Sequence, residues 1–80
     1  MNSSILNLEF DSEEEAEIIY KSIFIEHIDS QIKSRAKMEK YKNKIKIYVE
    51  AEELSILKAS LYSYLRWISV AQNIYKIVKR

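Results

Sequence analysis

"ILNLEFDSEEEAEIIYKSIFIEHID", residues 5–29, changes its repeat partway along. Leu6, Leu8 and Phe10 alternate with Ile5, Asn7 and Glu9, the two-residue period of a strand with one buried face. Further on, the recurring positions are Ala16, Ile19, Tyr20, Ile23 and His27, which is helical spacing. Ser12, with Glu15 three residues later, marks the switch as a capping box. In that motif a hydroxyl and a carboxylate satisfy N–H groups that a first helical turn leaves without partners. Glu13 and Glu14 fall in the same turn, where the helix dipole favours negative charge. The stretch is a strand followed by a helix.

Downstream, "RAKMEKYKNKIKIYVEA", residues 35–51, predicts a β-hairpin. Ala36 and Met38 face inward on one arm and Ile45, Ile47 and Val49 on the other, around Lys42-Asn43-Lys44 with Asn43 at the centre. The remainder, from about Ala51 to Val78, reads as one long helix, with Glu52 and Glu53 in its first turn and Lys79 and Arg80 at its end, as the dipole prefers. The order β-α-β-β-α implies an α+β domain spanning residues 1–80, with a three-stranded antiparallel sheet and two helices packed on one face. A right-handed crossover that skips one position places the third strand between the first two, so every neighbour is antiparallel.

Composition narrows the chemistry. Eighty residues make a single domain near the size at which one core is marginal and association often supplies missing burial. With no Cys and one His, there is no thiolate metal site, no cysteine nucleophile and little acid–base choice. With no Gly, the glycine-rich phosphate loops are excluded. No long uncharged apolar run is present, and "MNSSILNLEF" lacks the layout of a secretory signal, so the expectation is a cytoplasmic protein without a membrane association. His27 sits on the inner stripe of the first helix as a core histidine, and Ser60 and Ser63 have no base placed to activate them. No catalytic, cofactor or metal site is expected.

The net charge of +1 hides a segregation. Residues 9–29 are acidic apart from Lys21, whereas Lys33, Arg35, Lys37, Lys40, Lys42, Lys44 and Lys46 follow with only Glu39 between them. The acidic block has a local reason in the helix dipole. The basic block, on strands and a turn, has none, which makes it a candidate contact for the phosphate backbone of RNA.

The last helix carries more apolar surface than one sheet can cover. A first stripe runs Leu54, Leu57, Leu61, Tyr64, Ile68, Ala71, Tyr75, Val78, and is assigned to the sheet. A second runs Ile56, Ser60, Ser63, Trp67, Val70, Ile74, Ile77, expected roughly 160 to 200 degrees away at about 100 degrees per residue. The helix is also about 40 Å long at roughly 1.5 Å per residue, longer than short strands can underlie. On the first helix Ile18 and Ile25 lie one heptad apart, opposite Ala16, Ile23 and His27. These second stripes are expected to meet another chain, with Ala59, Ser60 and Ser63 allowing a helix to approach closely around Trp67.

"LEFDSEEEAEIIYKSI", the basic hairpin, and "IKIYVEAEELSILKASLYSYLRWISVAQNI" together resemble the smallest scaffold subunit of the KEOPS complex, the CTAG/Pcc family. The distinctive parts are Phe10-Asp11-Ser12 before the acidic helix start and the later pattern Ala51, Glu52, Leu54, Leu57, Ser60, Leu61, Ser63, Tyr64, Leu65. The resemblance implies a β-α-β-β-α subunit that performs no chemistry, forms a homodimer or pairs with a paralogue, and bundles its helices against a sugar-kinase-like catalytic subunit. That catalytic subunit installs threonylcarbamoyl on an adenosine beside the tRNA anticodon, so tRNA is the implied partner of the assembled complex. Lys58 and Tyr62 stand where the family usually has Arg and Asn, which leaves a divergent paralogue as the nearest alternative. The rival from another class is a stand-alone RNA-binding module using Arg35, Lys37, Tyr41, Lys46 and Tyr48 on the open sheet face. Such a module has no need of a second apolar stripe.

Overall fold

Five elements follow one another in the computed structural model, which describes residues 1–29 and 34–78, Asp29 by its backbone alone: β1 (Asn2–Glu9), α1 (Glu13–Asp29), β2 (Ser34–Tyr41), β3 (Lys44–Ala51) and α2 (Leu54–Val78). The sheet order is β1-β3-β2 with both pairs antiparallel, so the third strand lies between the first two as the crossover argument requires. Cross-strand rows are set by the period of two: Leu6, Ile47 and Met38 share one row, and Ser4, Val49 and Ala36 the next. These rows face both helices, and Ile19, Ile23, Ile45, Ile47, Val49 and Tyr64 are the largest fully buried side chains.

The capping box forms with one change. Glu15 N–H donates to Ser12 Oγ (3.1 Å), but the returning Glu15 carboxylate accepts from the Asp11 N–H (3.2 Å), one residue before the cap. Glu15 is buried there, and Gln72 Nε2 of α2 donates to its other oxygen at 3.3 Å.

The hairpin closes with two residues, Lys42 and Asn43, between Tyr41 and Lys44. Lys42, rather than the expected central Asn43, takes the left-handed conformation, with φ 54°. Asn43 is held by Phe10, just past the end of β1, instead: its Nδ2 donates to Phe10 O and its carbonyl accepts from Phe10 N, each at 2.8 Å. The hairpin tip is thereby tied to the strand-to-helix junction.

Helix α2 starts three residues later than its sequence pattern implies. Pairing with Asn2 and Ser34 keeps Ala51 extended, and Leu57 N–H donates to Glu53 O (3.1 Å), so Glu52 and Glu53 precede the first turn. Lys79 and Arg80 lie outside the described residues. The molecule measures 42 × 20 × 16 Å, the long axis being that of a 25-residue helix that outruns eight-residue strands.

Candidate functional site

Helices α1 and α2 lie antiparallel. At one end Tyr75 OH donates to Glu14 Oε1 (3.3 Å) and Gln72 reaches Glu15; at the other His27 Nδ1 and Tyr64 OH are hydrogen-bonded at 2.5 Å. The His27 ring stands between Phe24 (5.7 Å) and Tyr64 (5.8 Å), and Tyr64 meets Trp67 edge-on at 5.0 Å. Partial burial lowers the pKa of His27 below its ordinary 6.5 by desolvating the charged form. Half-buried among rings, it is the core histidine expected from its place on the stripe.

The two stripes of α2 are neighbours, not opposites. Trp67 follows Tyr64 by three residues, which at about 100° per residue leaves them only roughly 60° apart. The arc opposite Tyr64 is instead mostly polar and exposed, carrying Ser55, Arg66, Ser69 and Asn73. The consequence is graded burial along the second stripe. Ile56 and Trp67 pack half-buried against the core. Ser60 Oγ bonds Ser34 Oγ at the sheet end (2.7 Å), and Ser63 Oγ donates back to Ala59 O (3.1 Å). Val70, Ile74 and Ile77 are exposed. The small residues therefore serve the chain's own packing in this structure, while the free apolar surface lies in the second half of the helix.

Between that half of α2 and α1 runs an open groove of about 640 Å³. Ile18 and Glu26 form its α1 wall and Arg66, Val70 and Ile74 its α2 wall, with Trp67 at the base. One end is apolar, and the other carries a single acid and a single base on opposite walls. Ile25 and Ile77 are exposed but do not line it. Of fifteen large apolar residues exposed among the described residues, eleven are on the two helices, so the uncovered apolar layer of this protein is helical.

Four of those eleven, Phe24, Ile28, Tyr62 and Leu65, fall outside the stripes read from the sequence. Phe24 and Ile28 are one helical step apart on the α1 flank that carries Tyr20, whose hydroxyl donates to Met38 O of β2 (3.2 Å). Their i,i+4 spacing is a signal a search for single heptads passes over. Tyr62 and Leu65 are likewise neighbours on one flank of α2, at i,i+3 spacing.

The basic block is dispersed by the strand register. Arg35, Lys37, Lys44 and Lys46 reach the open face of the sheet, but Arg35 pairs across with Glu50, Lys46 with Glu39, and Lys44 with Glu9. Lys37 Nζ also lies 3.9 Å from the Glu39 carboxylate. Lys40 falls in the inward-facing row with Ile45 and Leu8, where it turns to α1, bonding Glu17 (3.5 Å) and donating to Lys42 O (3.2 Å). Lys42 is in the turn, and Lys33 lies outside the described residues. Among the described residues no three His, Asp or Glu side chains converge as metal ligands, and no helix is long and apolar enough to cross a membrane.

Three comparisons bear on this arrangement. The family described as "Transcription factor Pcc1" matches residues 3–76. The KEOPS complex subunit Pcc1 of Pyrococcus abyssi (strain GE5 / Orsay) is 35% identical over 71 residues, 88% of this chain and 87% of that protein. A chain in the crystal structure of the binary complex Gon7-Pcc1 superposes with a TM-score of 0.84 over 96% of this chain and 95% of its own length, at 16% identity, which speaks for the fold. The matched span takes in the strand-to-helix switch and all but the end residues of the split sheet and the long second helix, and the chain belongs to the Pcc1 family.

Proposed function

We propose that this chain is a non-catalytic, dimerising scaffold subunit of a KEOPS complex. In this role it docks helices of the sugar-kinase-like catalytic subunit in the α1–α2 groove and supports tRNA binding for threonylcarbamoyladenosine modification. The observation that carries the proposal is the groove: an open, largely apolar channel between two helices, walled by Ile18, Val70 and Ile74, of the kind that takes the apolar face of a partner helix. The similarity to a KEOPS subunit supports it, as does the fold neighbour's presence in a two-protein complex. A stand-alone RNA-binding module would leave this groove without a purpose.

Self-association fits a different surface. Both β1 and β2 are sheet edges, and edges invite strand pairing unless charge guards them. β2 carries Arg35, Lys37, Glu39 and Lys40, whereas Glu9 is the sole charge of β1. Antiparallel β1–β1 pairing between two copies, or between this chain and a paralogue, makes one six-stranded sheet and leaves both grooves free. The two associations that the sequence alone places on one set of residues are in this way separated.

Reconstitution tests both halves. Sedimentation should show a dimer at micromolar concentration that Ser3→Lys with Ile5→Lys converts to monomer, while the catalytic subunit still binds. A wild-type monomer would remove the dimer from the proposal, and failure of the catalytic subunit to bind wild type would remove the groove.

A further inference from the structure

We propose that the open sheet face, centred on Tyr48, stacks an unpaired base of an RNA strand whose backbone passes Lys37 and Lys46; the inference rests on the RNA-supporting part of the function above. Tyr48 stands in the central strand, in one row with Ile5 and Lys37, and its ring is partly exposed. Lys46 Nζ lies 5.6 Å from the ring centroid, so a phosphate beside a stacked base falls within reach of a cation already held there. A second ring, Tyr41, is exposed at the hairpin end with Lys42 Nζ 5.4 Å from its centroid. Two tyrosines on a strand face, each with its own lysine, is the pairing of π-surface and positive charge that single strands require.

The charge balance selects the occupant. Counting Lys42, this face presents five cations against three carboxylates, Glu9, Glu39 and Glu50, while the first turn of α1 on the other side of the sheet is acidic. The excess is positive but small. It favours an anionic strand without supplying the dense lattice of cations that duplex recognition by charge alone demands. A second sheet cannot pack on a face so rich in charge, because each ion would be desolvated. In a duplex the base faces are consumed by their neighbours, whereas an unpaired base offers a face to Tyr48.

The test uses the full chain and a labelled oligouridine of about 12 nucleotides, followed by fluorescence anisotropy over a salt series that starts at low salt. Wild type should bind it more tightly than an RNA duplex of equal length. Tyr48→Ala should weaken binding roughly tenfold, the size of one lost stack, and Tyr48→Trp should restore it. Lys37→Gln with Lys46→Gln should lower the slope of log affinity against log salt by about 1.4. Equal affinity for duplex, full binding by Tyr48→Ala, or no binding by wild type at low salt overturns the inference. If the lysine pair matters and Tyr48 does not, stacking is refuted while backbone contact stands. Loss of all binding refutes RNA contact by this subunit and leaves docking in the helical groove to its own experiment.

Discussion

Replacing Ile74 on the groove wall separates interface from core by numbers the structure supplies. Complete burial of an isoleucine is worth about 1.5–3 kcal/mol, and Ile74 is still 57% exposed. Covering it with a docked helix therefore adds roughly 0.9–1.7 kcal/mol. Val70 at 53% and Ile18 at 40% exposed bring the three-residue total to roughly 2.2–4.5 kcal/mol. Ile74→Ala should thus weaken binding of the sugar-kinase-like subunit about 4- to 20-fold. Ile74→Glu should weaken it at least about 100-fold, because a buried carboxylate without a partner adds its desolvation cost.

Neither change should unfold the monomer, since the side chain faces water. Ile68, earlier on the same helix and only 6% exposed, is the control. Ile68→Ala should cost about 2–5 kcal/mol, out of a total near 4–12 kcal/mol for a chain this size. Titration calorimetry against the catalytic subunit and urea unfolding by circular dichroism give both quantities for each variant. Undiminished binding by Ile74→Glu, or unfolding on that change, would refute the assignment of this wall.

Lys42→Gly should raise the urea midpoint, because the left-handed backbone at φ 54° costs a side-chain-bearing residue about 1–2 kcal/mol while glycine's added unfolded-state freedom returns about 0.5–1; a lower midpoint would show that the turn is not strained. Glu15→Ala should cost about 1–3 kcal/mol by removing the buried acceptor of two hydrogen bonds, from the Asp11 N–H and the Gln72 amide, each worth about 0.5–1.5, measured by the same unfolding. His27 has a folded-state pKa below its unfolded value, so the folded state binds its proton less readily. Its contribution is fully present above about pH 6.5 and declines as pH falls from there toward the lowered value. Stability measured from pH 7.5 to 5 should accordingly fall more steeply for wild type than for His27→Gln, and parallel curves would contradict the assignment.

Local order was legible because it depends on neighbours in the chain. The two-residue period of β1, the helical spacing from Ala16 to His27, the Ser12 hydroxyl's half of the cap and the inward set Met38, Ile45, Ile47 and Val49 all appear in the structure as the sequence implies. Lack of Cys and Gly removed whole classes of chemistry before any fold was known. Absolute burial was not legible, because a helical repeat defines lanes without saying which neighbour covers each one. Only the placement of α1 beside α2 decides that Trp67 is a groove base, Ser60 a partner of Ser34, and Ile74 a free wall. Charge shows the same division. Seven cations within residues 33–46 form a block along the chain, but pairing in the sheet sets Glu9, Glu39 and Glu50 opposite three of them and turns Lys40 inward to Glu17. Electrostatic surface is a property of distances in space, and the register that creates those distances comes from packing apolar side chains on the other face of the same strands.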